Sequence, residues 1–190
     1  MSTIVFLVVL AAIVLWVIGA YNGLIALKNQ VLNAWKQIDV QLRRRHDLIP
    51  NLVNTVKGAM DFERSTLEAV ISARNKAVSA TGVKDTARAE GELTQALGRL
   101  FALTEAYPEL KSNQNVLQLQ EELTSTENKV GFARQLYNDV ATQYNTKQAT
   151  FPTLLIAGLA KATPAELWEI EDVAERVVPK VDLSLNKPPQ

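Results

Sequence analysis

From Ile4 to Ala20 the chain reads IVFLVVLAAIVLWVIGA, without a polar side chain, and no charged residue appears before Lys28. A helix over this run, at about 1.5 Å per residue, covers roughly 26 Å, and continuing to Ile25 brings it to the roughly 30 Å of a bilayer core. Trp16 and Tyr21 fall near its end, where aromatic rings favour the headgroup region. The pattern therefore predicts a membrane-spanning helix over residues 4–25. The competing reading is a cleaved leader, which normally carries Lys or Arg ahead of its apolar run and an A-x-A-like site behind it. Only Met-Ser-Thr precedes Ile4, and the residues after Ala20 pass directly into an amphipathic pattern. Lys28 and Lys36 follow the span and no basic side chain precedes it, which predicts the N-terminus outside and the rest of the chain on the cytoplasmic side of the membrane.

Beyond the span the apolar positions recur at steps of three and four, the period of helices packed on one face. Leu24, Leu27, Val31, Ala34, Ile38 and Leu42 form the first stripe. Asp47 suits an N-cap and Pro50 a first helical turn, which predicts a break near His46; a single helix kinked at Pro50 is the alternative. A second helix then runs to about Ser79, and Gly82 reads as a connection. A third carries Leu93, Leu97, Leu100, Thr104 and Tyr107 and stops at Pro108. From Asn113 the steps become nearly heptad: Val116, Leu119, Leu123, Thr126, Val130, Ala133, Tyr137, Val140, Tyr144, Lys147, Phe151. Short connections favour antiparallel neighbours, so the expectation is an all-α chain: a transmembrane helix continuing into an up-and-down four-helix bundle. The expected divisions are an anchor over 1–25, a bundle over 26–150 and a partly irregular tail over 151–190. Thr163-Pro164-Ala165-Glu166 has the form of a capping box with Pro at N1, which predicts a short helix near 164–177.

Composition narrows the chemistry. Twenty basic and twenty acidic residues cancel, so no global field draws the chain to nucleic acid. There is no Cys and one His, His46, which disfavours a nucleophile–base pair or a zinc site, and no Gly-rich phosphate loop is present. No catalytic, cofactor-binding or metal-binding residues are assigned, and no enzyme is expected. Glu90, Glu92, Glu121, Glu122 and Glu127 read as exposed helix faces. Residues 1–46 carry a net +4 and residues 163–190 a net −3, so either the ends attract or both are solvated surface. Arg43, Arg44 and Arg45 form the densest local charge. They read either as a contact for an acidic partner or lipid, or as a solvated helix end opposing the helix dipole. About 35 Å from Ala20 along a straight helix, they lie too far out for headgroups.

The stretch from Tyr21 to Gly58, YNGLIALKNQVLNAWKQIDVQLRRRHDLIPNLVNTVKG, followed by FARQLYNDVATQYNT over 132–146 and by Phe151-Pro152 with Leu155-Ile156-Ala157, resembles the LemA family. The resemblance implies a bacterial membrane-anchored helical-bundle protein, often encoded near HtpX-type membrane zinc proteases or other envelope proteins, and it brings no catalytic residues. At Ala59-Met60-Asp61-Phe62-Glu63 the chain departs from relatives that carry an aromatic and a His before the Glu. The polar groups that recur in these blocks, Asn33, Trp35, Asp39, Asn138, Tyr144 and Asn145, are candidates for setting helix register through buried hydrogen bonds, against ordinary intrachain satisfaction.

Two functional expectations follow. The first is a membrane-anchored scaffold or adaptor of the cell envelope that self-associates, with Trp16, Gly19, Tyr21 and Gly23 as anchor and association residues, and with a membrane protease or another envelope protein as partner. Gly19 and Gly23 form a G-x-x-x-G that permits close helix approach. The second is a regulatory sensor or small-ligand-binding bundle.

Overall fold

The computed structural model describes residues 1–57 and 63–169, whose regular elements are all helices, with no strand among them. Helix α1 spans Ser2–Lys57, α2 Arg64–Ser79, α3 Val83–Ala106, α4 Pro108–Lys111, α5 Gln114–Ala149 and α6 Leu154–Ala157.

The break expected near His46 does not occur: α1 continues through Pro50 as one helix of 56 residues. Pro50 has no N–H to give to the carbonyl four residues back, which is that of His46. Arg74 of α2 takes its place, its Nε donating to the His46 carbonyl at 3.3 Å. The residue that threatens the helix thus creates a docking point for the next one.

Two apolar cores share α1. Near the end remote from the apolar span, Ile49, Leu52, Val53 and Val56 pack against Leu67 and Val70 of α2, Leu93, Leu97 and Leu100 of α3, and Val116 and Leu123 of α5. Nearer the span, Leu24, Val31, Ala34, Ile38 and Leu42 pack against Val130, Tyr137, Ala141 and Tyr144 of α5, and against Ala160 and Trp168 beyond it. Arg45 meets Glu127 and Trp35 meets Tyr137, so α1 and α5 are antiparallel along much of their length. The α2–α3 hairpin packs mainly on the remote core, and the start of α3, at Val83 and Ala87, reaches the second. Residues after α5 complete the second core.

Local signals account for the boundaries. Gly82, at φ 82°, occupies the left-handed region open to glycine and caps α3, which starts at Val83 instead of Asp85 or Thr86. Pro108 ends α3 and opens the single turn of α4. Asn113 caps α5, its Oδ1 accepting from the N–H groups of Asn115 and Val116. The heptad stripe of α5 holds from Val116 to Tyr137 and then slips by one position, burying Ala141 and Gln148 while Lys147 and Phe151 are exposed. A straight helix at 3.6 residues per turn drifts from a 3.5 repeat in this way.

The short helix expected near 164–177 is absent over 164–169, which run extended; the remainder of that stretch lies outside the described residues, as does the 59–62 part of the departure noted above. The reason is the set of hydrogen bonds described next.

Candidate functional site

Between the two cores, α1 places Arg45 and His46 among side chains from α3 and α5. Arg45 is 3% exposed and Glu90 4%. Arg45 Nη1 donates to Glu90 Oε2 at 2.8 Å, and its Nη2 donates to Thr94 Oγ1 at 2.9 Å. Glu127 Oε2 lies 2.8 Å from the same Nη2 as an ion pair. His46 Nε2 is 2.6 Å from Glu90 Oε1; a carboxylate can only accept, so Nε2 carries the proton. Thr94 donates onward to the Glu90 carbonyl at 3.0 Å. Three helices are thus bolted at one level by a charged layer between apolar ones. Such a layer contributes less net stability than its short distances suggest, because both charges lose their hydration; leaving one of them alone is what costs heavily.

This corrects two expectations. Arg45 is not available to a partner, whereas Arg43 and Arg44 are exposed, Arg43 pairing with Asp39 at 2.9 Å one turn earlier. Glu90 is no exposed helix face. Both positions could have been found: Arg45 continues the stripe Ile38, Leu42 toward Ile49, and Glu90 stands three residues before Leu93 on the stripe of α3. A charge on an apolar stripe signals a buried partner.

The second constellation ties the extended residues 162–169 across α5. Asn145 Nδ2 donates to the Ala165 carbonyl at 2.9 Å, and the Ala165 N–H donates to Asn145 Oδ1 at 2.8 Å. Asn138 repeats the pattern on Trp168, at 2.9 Å in both directions. Tyr137 Oη donates to the Glu166 carbonyl at 2.7 Å. Seven helical residues between the two asparagines cover about 10.5 Å, and three extended residues cover about 10 Å. The clamps therefore fit a strand-like strap. A helix there would need the same carbonyls and N–H groups for itself, so the capping-box expectation loses.

Trp168, 4% exposed, anchors the strap. Its ring lies 6.0 Å from that of Trp35, which meets Tyr137 edge-on at 5.5 Å, and the Arg134 guanidinium sits 5.5 Å from its centroid. Burial, with the Glu166 charge adding to it, pushes the Tyr137 phenol above its usual range; burial pushes Tyr144 the same way. Of the six polar candidates, Trp35, Asn138 and Asn145 are brought together in this strap site, and Tyr144 is buried in the same core. Asn33 is exposed, and Asp39 serves Arg43.

Around the anchor, Trp16, Gly19, Tyr21 and Gly23 are exposed, and nothing approaches either glycine. The N-terminal part of α1 is long and apolar enough to cross a membrane, and its large apolar side chains from Ile4 to Trp16 are exposed. One N-terminal apolar helix thus fits a single-pass membrane anchor.

The model of the LemA family matches residues 34–183. The chain belongs to the LemA family. The match begins inside α1, beyond the apolar span, and takes in the charged layer, both asparagine clamps and the strap. Among relatives, Protein LemA of Metamycoplasma hominis is 29% identical, the alignment covering 74% of this chain and 64% of that one. Magnetosome proteins MamQ 1 and MamQ 2 of Paramagnetospirillum magneticum are 23% identical, covering 78% of this chain and 64% of theirs. The aligned region thus spans about 64% of the length of these curated relatives. Among the described residues no cluster of three or more His, Asp or Glu is placed to hold a metal ion.

Proposed function

We propose that this LemA-family chain is a membrane-anchored, non-enzymatic scaffold of the bacterial cell envelope, which self-associates and presents the faces of its long helices to envelope proteins, an HtpX-type membrane protease among them. The observation that carries this reading is the continuity of α1, which runs from the apolar span into both cores without a linker. Such a helix transmits orientation, where a flexible tether would only confine. The charged layer is consumed in internal pairs. What the surface offers instead is apolar: Val40, Phe132 and Leu136 are exposed on the α1–α5 face. In this reading the N-terminus lies outside and the bundle in the cytoplasm.

The test is photo-crosslinking in native membranes from probes placed at Val40 and Phe132. Covalent dimers or a reproducible envelope-protein adduct are expected. A chain that stays monomeric and without adducts from both positions overturns the scaffold reading. Protease added to inside-out vesicles should digest the bundle; protection there overturns the orientation.

One observation favours the small-ligand reading as a second. A groove of about 450 Å³ is lined by Lys36, Val40, Gln41, Lys129, Phe132 and Leu136, and Gln41 Oε1 is buried with no hydrogen-bond partner among the described residues. Saturable thermal stabilisation by a small amide or hydroxyl compound, lost in Gln41→Leu, is its test.

A further inference from the structure

Among the described residues, the segment that joins α5 to the strap is the most apolar exposed stretch outside the anchor. Phe151 is 79% exposed, Leu154 54%, Leu155 68% and Leu159 74%. Four large apolar side chains within nine residues face outward, while Ile156 and Ala160 face inward and hold the segment against the fold. Exposed apolar residues elsewhere on the bundle are spread along helices; here they crowd one turn-like loop.

Its place in the fold follows from the α1–α5 register. Arg45 faces Glu127, and Trp35 faces Tyr137 ten residues further along each helix in opposite directions. Twelve more residues bring Ala149 opposite Gly23. α6 packs against α1, and Ala157 and Ala160 join the core that Leu24 opens. The loop therefore sits beside the exit of the apolar span, within about a helical turn, 5.4 Å, of its end.

Charge agrees with this position. Lys28 on α1, level with Tyr144 in the same register, Lys147 in the last turn of α5 and Lys161 two residues after the loop lie at this end of the bundle, and neither 21–38 nor 140–165 contains an Asp or Glu. Apolar side chains with lysines and no acids near them, and aromatic rings at Trp16 and Tyr21, match the chemistry of a lipid interface.

We propose that residues 151–159 form a second membrane contact, in which Phe151, Leu154, Leu155 and Leu159 enter the headgroup–acyl boundary of the bilayer that α1 crosses. The occupant of this apolar patch is lipid, and the contact rests on the reading of residues 4–25 as a membrane span. It sets the tilt and rotation of the bundle, because α1 alone could pivot where it leaves the bilayer.

The native chain has no Cys, so single-cysteine variants of the full chain can carry an environment-sensitive fluorophore. Leu155→Cys, Leu159→Cys, Leu117→Cys at the remote end and Leu10→Cys in the span are each reconstituted in phosphatidylglycerol–phosphatidylethanolamine vesicles with acyl-chain nitroxide lipids, and circular dichroism verifies the helix content. Quenching at 155 and 159 is expected to exceed that at 117 several-fold and to approach that at 10. Quenching at 155 and 159 no stronger than at 117, with position 10 quenched, overturns the second contact and leaves the anchor standing. Absence of quenching at position 10 overturns the anchor itself. Efficient crosslinking of Leu155→Cys between copies without lipid quenching assigns the patch to a second copy, and also overturns the proposal.

Discussion

Removing one asparagine clamp should release the strap without unfolding the helices. In Asn138→Ala the N–H and C=O of Trp168 lose both partners at once. Net loss of two hydrogen bonds costs about 1 kcal/mol each, and an orphaned buried group costs about 1–3 kcal/mol. The strap can escape the second cost by lifting away, so the effect is bounded by its docking free energy. That bound is set largely by Trp168, whose removal to Ala costs about 3–5 kcal/mol in a packed site. Asn138→Ala and Asn145→Ala should each weaken the strap by about 2 kcal/mol, a factor of roughly 30 in its closed-to-open ratio. The double variant should cost no more than Trp168→Ala, because a strap already released has nothing further to lose.

Hydrogen exchange on the full chain in detergent measures this directly. The N–H groups of Ala165 and Trp168 should lose protection in either single variant, while those of α1 and α5 around Trp35 and Tyr137 keep theirs. Unchanged protection of Trp168 N–H in Asn138→Ala would refute the clamp. A double variant costing clearly more than Trp168→Ala would show instead that the asparagines support the helices and not the strap alone.

Other expectations concern the waist, the proline and the two phenols. Arg45→Met leaves Glu90 buried beside His46 without its guanidinium and should cost about 3–5 kcal/mol in urea unfolding, whereas Arg45→Met/Glu90→Leu should recover most of that loss. Arg74→Met should cost about 1 kcal/mol in the native chain and clearly less in Pro50→Ala, where a restored N–H satisfies the His46 carbonyl; equal effects in both backgrounds would contradict the docking account. For Tyr137 and Tyr144 the folded state holds the phenol proton more tightly than the unfolded state. Unfolding therefore releases protons above pH 10, so their contribution is whole below that pH and lost as pH rises through the raised values. Denaturation followed from pH 9 to 12 should show that slope, and Tyr137→Phe should flatten it.

How much of this was legible in the sequence depends on range. The period of three and four gave the helices, and Gly82, Pro108 and Asn113 gave their ends to within a residue or two, because those signals act locally. Pro50 misled because its compensation comes from Arg74, on another helix. Arg45 reads as part of a basic run, and Glu90 as one of a set of acids off the heptad stripe of α5, although each stands on an apolar stripe of its own helix. The strap was illegible for a different reason. Thr163-Pro164-Ala165-Glu166 has strong local helix-start chemistry, and only the seven-residue spacing of Asn138 and Asn145, set against three extended residues, overrides it. The asparagines read as register-setting groups, but a side chain that binds main chain leaves no signature in the segment it binds.

The two constellations act on the same helix at different heights, and that bears on how the bundle follows the span. From Leu24 to Lys57, α1 extends about 50 Å, with the strap core at its lower half and the charged layer at its waist. Rotation of α1 about its axis by one residue, 100°, would carry Arg45 away from Glu90 and Trp35 away from Trp168 together. Neither site can therefore yield alone to a torque applied through the span. The upper hairpin, bolted to α1 through Arg45 and the His46 carbonyl, must turn with it. With the 151–159 loop resting on lipid, the bundle has one rotational setting relative to the bilayer. A surface such as Val40 and Phe132 then faces a fixed direction in the membrane plane, which is the geometric condition for assembly between anchored copies or with an integral membrane partner.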